Sequence, residues 1–407
     1  MYKPLKGVKV VDLTYFIAGP GTARILADWG ADVLKIEPFW GDPGRTTGAG
    51  MGSPANFGCN PLYSCYNSEK RGISIDLKSE KGMEIMEKLL EKADVFITSY
   101  RTKALVKLGL DYESVHKKYP QIVWAQVNGF GDYGPAKDNP GFDTVAFWSR
   151  SGAMLDSAER GTTVNPPIGF GDATTSCSLA GGIAAALYQQ QKTGVGAKVM
   201  ISLFGQALWN LSALVASTQY GDVYPKTRKA ANSPVINSYE CKDGKWIFLS
   251  ILEHERYYET FCRVIGREDL IRNEKFDTTQ AAKANSPEFI SIISEQFINW
   301  TQEEMHQKLL AADIAHEKIQ GVIDAIHDPQ ARANNYIYEV DNRDGTKSLV
   351  SMPPVKFNTI DVNIKNDAPL IGENNEEVLA ELGYTEEEIQ KLAEQNIIKT
   401  VPYEGAK

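Results

Sequence analysis

The chain has 407 residues, of which 43% are hydrophobic, 23% charged and 10% aromatic, with a formal net charge of −9. That length exceeds one ordinary core and predicts two domains of a globular protein. An acidic balance with no lysine/arginine cluster argues against a nucleic-acid partner, and no apolar run is long enough to be a membrane span.

Five cysteines (Cys59, Cys65, Cys177, Cys241, Cys262) without metal-like spacing predict reduced thiols and a cytoplasmic location. Met1 to Lys9 lacks the apolar core of a signal peptide. The five histidines are scattered, so no metal is expected.

Val8–Leu13 is a short β-branched run and predicts a buried strand. Pro20 and Gly30 bracket a helix, and Ala31–Glu37 is the next strand. Strand, helix and strand in so short a span form a βαβ unit, so the first sheet is parallel. Its first loop is not GxGxxG, and a dinucleotide fingerprint is absent. Gly41-Asp42-Pro43-Gly44-Arg45 is a turn. Residues 46–66 are rich in glycine and proline and predict a long loop, which fits a functional segment and a mobile surface equally well.

Ile73–Leu77 predicts a strand, Ser79–Lys92 a helix capped by Ser79, and Ala93–Ser99 a further strand. Arg101, Lys103 and Lys107 follow that strand's C-terminal end, where α/β sheets bind phosphates; a solvated basic helix face has the same spacing. Tyr112–Tyr119 is a short helix and Ile122–Asn128 a strand. A glycine-rich loop runs from Gly129 to Gly141, and Phe142–Ser151 is helical.

The stretch Pro166-Pro167-Ile168-Gly169-Phe170-Gly171-Asp172-Ala173 is distinctive. Two prolines stiffen the approach, and two glycines allow a sharp turn or a close neighbour. The small-residue run Ala173–Ala186 then predicts a tightly packed helix. Asp172 stands either as the N-cap of that helix or as a nucleophile on a glycine turn. The stretch alone does not choose.

Ala197–Leu203 is a strand, and Phe204–Gln219 a single long helix. Periodicity is lost over 221–237, a linker. Ser238–Leu252 is a hairpin turning on Asp243-Gly244, followed by helices over His254–Ile265, Pro287–Trp300 and Thr301–Ala312. The predicted organisation is a large parallel-sheet domain over 1–220, the 221–237 linker and a small α+β domain over 238–325. A second hairpin over Asp344-Gly345 and a helix from Glu373 to Leu382 lie in the remaining 326–407 segment.

The order of motifs carries a resemblance. Gly7-Val8-Lys9-Val10-Val11-Asp12-Leu13 leads to Gly19-Pro20. Gly30-Ala31-Asp32-Val33-Leu34-Lys35-Ile36-Glu37, Gly41-Asp42-Pro43 and Lys70-Arg71-Gly72 follow. Then come Gly109-Leu110-Asp111-Tyr112, Gly171-Asp172 and Leu370-Ile371-Gly372-Glu373-Asn374. This ordered set resembles the class III CoA-transferases, the formyl-CoA transferase and carnitine CoA-transferase family, over about the whole chain. It is most similar to their anaerobic branch, which moves CoA between (R)-2-hydroxy acids and 2-enoyl-CoA.

The resemblance implies a Rossmann-like α/β large domain with a smaller α+β domain. It also implies an interlocked-ring homodimer and a C-terminal segment returning to the large domain. It makes Asp172 the nucleophile, which forms an anhydride with the acyl group and then a thioester with CoA. No permanently bound cofactor is implied; the CoA thioester and a small carboxylic acid are substrates. Ile17 and Ala18 would face the reactive end of CoA, while Ile75, Lys78, Ser99, Tyr100, Lys107 and Leu108 would line its nucleotide. Arg101 joins them by charge and placement. Phe142 and Asp143 would lie beside the acyl group, and backbone amides near Gly169 and Gly171 would hold the oxyanions. The helix dipole would keep Asp172 ionised.

Three departures from formyl-CoA transferase argue against oxalate. Ile17 replaces a glutamine, Pro38 replaces an arginine, and the four-glycine lid is absent from 225–260. Ile17, Phe16 and Phe142 suit a larger apolar acyl group. The alternative enzyme of the same fold is an acyl-CoA racemase or epimerase, whose histidine near position 126 is missing from Gln126-Val127-Asn128. A scaffold that only binds CoA esters is a third reading, disfavoured by Asp172.

Overall fold

Val10, Val11 and Leu13 are almost wholly buried, because strand β1 (Lys9–Leu13) lies in the middle of a sheet covered on both faces. Its neighbours are β2 (Asp32–Glu37), β3 (Arg71–Ser74), β4 (Val95–Thr98), β5 (Val123–Asn128) and β6 (Lys198–Ser202). All pair in parallel, in the order β3-β2-β1-β4-β5-β6. Val10 sits opposite Val33 on one side and Val95 on the other. The Rossmann-like α/β fold predicted from the sequence is the one observed. The strand order reverses between β1 and β4, so a crevice opens over the C-terminal ends of those strands.

This computed structural model describes residues 3–358 and 366–403. They divide into two units. The first comprises Met1–Ala153, Pro166–Ser212 and Asp328–Lys407; the second comprises Met154–Asn165 and Ala213–His327. Several expected boundaries move. Residues 154–165 and 213–220 cluster with the second unit rather than the large domain, as do 326 and 327. The 221–237 linker contains a helical turn, Arg228–Ala230, and its last two residues already belong to a strand. Residues 359–365 and 404–407 of the expected C-terminal segment lie outside the described residues.

In the first unit, helix α1 (Ala18–Asp28) follows β1, and α2 (Pro61–Asn67) falls inside the region expected to be a loop. Asn60 accepts the Tyr63 amide and Pro61 occupies the first turn, a start signal that outweighs the surrounding glycines. Helix α3 (Glu80–Glu91) is capped by Ser79, which accepts the Gly82 amide; it buries Ile85, Met86, Leu89 and Leu90 against the sheet. The long helix α4 (Phe170–Thr193) packs on α1. A Cβ at Gly21 of α1 would lie 2.5 Å from Ser176 Oγ, so only glycine lets the two helices meet there. The single helix expected after β6 is broken at Leu211, into α5 (Leu203–Asn210) and Ser212–Thr218.

The first unit also holds the hairpin Ile337–Asp341/Lys347–Ser351 and helices Asn375–Glu381 and Glu386–Glu394. Val378, Leu379, Ile389, Leu392 and Ile398 join Ile85, Leu90 and Phe96 in one core. The second unit is built on the expected hairpin, Ile236–Glu240 with Trp246–Ser250. A short third strand, His316–Lys318, was not expected. Helices over His254–Val264, Ser286–Phe297 and Gln302–Ala311 close a core of Tyr239, Phe261, Phe276, Phe289 and Phe297. Among the described residues, no helix is long and apolar enough to cross a membrane.

Candidate active site

The loop between β1 and α1 lies over the crevice, and its backbone is held at successive residues. Thr14 O accepts Lys35 Nζ at 3.0 Å. The Tyr15 amide donates to Ser99 Oγ at 3.0 Å, and the Phe16 amide to Asp42 Oδ1 at 2.9 Å. Phe16 itself has φ of 65°, a left-handed conformation that bulky residues disfavour. Lys35 and Asp42 are buried and paired at 2.9 Å. Burial alone would pull the Lys35 ammonium down, but Asp42, Asp12 and Glu37 outweigh it and hold its pKa above the ordinary value.

Facing this loop is the turn that opens α4. Gly169, at φ of 79°, occupies the N-cap position and no side chain caps the helix. Asp172 is therefore the third helical residue, not the cap, because Phe170 and Gly171 are already helical before it. No described residue donates a hydrogen bond to its carboxylate. Ser176 Oγ lies 2.8 Å from Ala18 O and 2.9 Å from Asp172 O, tying the Asp172 turn to the start of α1.

Asp143, in a π-helical turn over Asp143–Ser149, reaches the same place. Its Oδ2 accepts the Gly169 amide at 3.0 Å. A Cβ at Gly171 would lie 2.3 Å from Asp143 Oδ1 and 2.3 Å from Phe147 Cγ. The Gly169 amide, expected to face an oxyanion, is thus occupied by Asp143. The free donors are instead the first-turn amides of α1, at Ala18 and Gly19, which have no partner among the described residues.

Burial, and then the charge of Asp143, push the Asp172 carboxyl up to about 7. This departs from the expectation that the helix dipole would keep it ionised: desolvation beside a second carboxylate outweighs the dipole. Asp143 is itself raised by burial, with the Gly169 and Gly171 amides pulling the other way. Tyr66 of α2 is raised by burial first, and further by Cys65, Asp172 and Asp143.

Two cavities open here. One of about 320 Å³ is lined by Phe16, Ile17, Ala18, Gly19, Ser99, Arg101, Phe142, Asp143 and Asp172. The other, of about 900 Å³, is lined by Ile75, Lys78, Tyr100, Lys107 and Leu108, together with Pro38 and Trp40. The expected residues are therefore brought together in two groups. Ser99 and Arg101 line the smaller cavity, whereas Tyr100 between them lines the larger. Lys78, Arg101 and Lys107 have no ion-pair partner among the described residues. Thr47, Asn128 and Ile168 also line the smaller cavity and were not anticipated. Asp42 had been read as part of a turn and of the Gly41-Asp42-Pro43 motif, with no role at the site.

Residues 5–375 match the model of CoA-transferase family III. The chain belongs to CoA-transferase family III. As a family III CoA-transferase, it acts on CoA thioesters. It is 37% identical over 396 residues to the (R)-2-hydroxy-4-methylpentanoate CoA-transferase of Clostridioides difficile, covering 97% of this chain and 99% of that one. It is 40% identical over 392 residues to the cinnamoyl-CoA:phenyllactate CoA-transferase of Clostridium sporogenes, covering 95% of each. Among solved structures, a CAIB/BAIF family protein from Brucella suis superposes with a TM-score of 0.80 at 26% identity, covering 94% of this transferase and all of that chain.

Proposed function

We propose that this CoA-transferase moves CoA reversibly between a 2-enoyl- or 2-hydroxyacyl-CoA and a free (R)-2-hydroxy acid, with Asp172 as nucleophile. The observation that carries the reading is the Asp172 carboxylate, free of hydrogen bonds, lining one cavity with the unpaired amides of α1. The similarity to the two hydroxy-acid enzymes supports the substrate class.

The carboxylate attacks the thioester carbonyl, the C–S bond breaks, and CoA leaves as its thiolate. The thiolate then attacks the aspartyl carbonyl of the anhydride, releasing the donor acid and leaving an aspartyl-CoA thioester. The acceptor carboxylate attacks that thioester, and the same two steps run backwards. Electrons and protons balance without a redox partner or a resident cofactor. The Ala18 and Gly19 amides would stabilise each tetrahedral oxyanion. Lys78, Tyr100, Lys107 and Leu108, with Ile75, would hold the nucleotide of CoA in the larger cavity, and Ser99 and Arg101 would lie between nucleotide and reactive end. Ile17 and the edge-to-face pair of Phe16 and Phe142, with centroids 5.5 Å apart, suit an apolar acyl chain.

A second copy of the chain as partner is supported by large apolar side chains left exposed on α4 and α5, among them Tyr188 and Trp209. Five free cysteines support a cytoplasmic setting. Racemisation is disfavoured: no histidine lines either cavity, and Gln126 is buried with its amide donating to Tyr100 O.

The test is chemical trapping. With acyl-CoA present, hydroxylamine or borohydride should modify the peptide carrying Asp172, read by mass spectrometry. An unmodified peptide from enzyme that is turning over would exclude the covalent route.

A further inference from the structure

We propose that Asp42 is a positioning residue for the transfer, holding the Phe16–Ala18 backbone so that the first amides of α1 face the acyl carbon on Asp172. The proposal rests on the reading of Asp172 given above. One carboxylate oxygen does two jobs: Asp42 Oδ1 accepts the Phe16 amide at 2.9 Å and the Gly44 amide at 2.8 Å. The other oxygen pairs with Lys35, whose ammonium also holds Thr14 O. The backbone leading into Phe16, at Thr14 O and at the Phe16 amide, is thus fixed from β2 and the turn after it.

The geometry of that turn is specific. A Cβ at Gly44 would lie 3.3 Å from Phe16 O and 3.4 Å from Phe16 Cα, so the turn sits directly against the loop. Phe16 keeps its left-handed φ only while something outside the loop over-determines it. Asp42 is 3% exposed, and water does not replace it as an acceptor. A purely structural role would lower the amount of folded protein and leave turnover per folded molecule unchanged. A positioning role lowers turnover itself, because a displacement of about 1 Å in donor placement costs up to about a hundredfold in rate.

The experiment compares two double variants on a common background. Lys35→Met removes the buried cation, so neither double variant leaves it unpaired. Lys35→Met/Asp42→Asn keeps an oxygen acceptor for the Phe16 amide; Lys35→Met/Asp42→Ala does not. Per folded molecule, kcat for CoA exchange should stay within about threefold of Lys35→Met in the Asn variant and fall about 10–100-fold in the Ala variant. KM for the CoA donor should change little, since Asp42 does not line the larger cavity. Equal kcat in the two double variants overturns the proposal. If the Ala variant does not fold, Asp42→Ser on the same background replaces it, its hydroxyl being too short to reach the loop, and equality with Asn again overturns it. Exchange that survives Asp172→Asn is a different result: it sinks the functional reading, and the proposal with it.

Discussion

Asp143 lies beside Asp172 with its Oδ2 on the Gly169 amide, so one carboxylate both shapes the turn of the other and adds its charge to it. Two acids in one desolvated place do not ionise independently. In the proposed mechanism the protonation of Asp172 is therefore set in part by its neighbour.

In the proposed mechanism, attack on the thioester needs Asp172 as its carboxylate. With its pKa at about 7, kcat/KM for exchange should rise with pH through that value and level off above it. Asp143→Asn removes the negative neighbour, so the inflection should move to lower pH. Initial rates across the range decide the point, and an unmoved inflection contradicts the coupling.

The same shift affects stability. The folded pKa of Asp172 is above its ordinary value of 3.8, so the folded state binds the proton more tightly than the unfolded chain. Its contribution is therefore present at low pH and lost as pH rises from the ordinary carboxylate value to about 7. Asp172→Asn should abolish exchange yet raise stability above pH 7, on the order of 1 kcal/mol. Thermal melts of both proteins at acid and alkaline pH test this. The gap should widen with pH; a constant or reversed gap is the contrary outcome.

Gly171 has no room for a side chain. Gly171→Ala places a methyl group into Asp143 Oδ1 and the Phe147 ring. We expect destabilisation of about 1–3 kcal/mol from the overlap. Because the methyl displaces Asp143 from its place beside Asp172, exchange should also fall at least about tenfold. Denaturant melts and kcat measured on the same preparation separate the two effects.

Tyr66 Oη lies 3.6 Å from the point a Cβ on Gly169 would occupy, and no described residue accepts its hydrogen. Burial and the nearby carboxylates keep the phenol protonated, so it can only donate where an anionic oxygen comes within reach. Tyr66→Phe keeps the ring packing and removes the donor. We expect kcat to fall about tenfold, with KM for the CoA donor unchanged. Wild-type kcat in Tyr66→Phe would leave the residue a packing role only.

The parallel sheet was legible because β1, β2, β4 and β5 are β-branched runs joined by crossover-length segments. Asp172 was legible only through the motifs around it, since local chemistry could not tell a cap from a nucleophile. The cap reading fails because Gly169, in the left-handed conformation, starts the helix earlier than the apolar pattern shows. Asp42 and Lys35 were invisible as a pair. A strand buried on both faces has no polar alternation to reveal where a lysine points. The strand His316–Lys318 has three polar residues and no β-branched one, so only its pairing with Trp246–Ser250 defines it.

Ile398 forms an antiparallel bridge with Ile75, and the Asp76 amide donates to Ile397 O. The edge of the first sheet is thus finished by residues made long after its strands. On a ribosome, the second unit emerges whole while the first unit's core still lacks Val378, Leu379, Leu392 and Ile398. The nascent sheet waits with an unfinished face, and Asp76, which lines the larger cavity, gains the acceptor for its amide only when Ile397 has been made. One wall of the larger cavity is therefore settled only by residues more than 300 positions further along the chain.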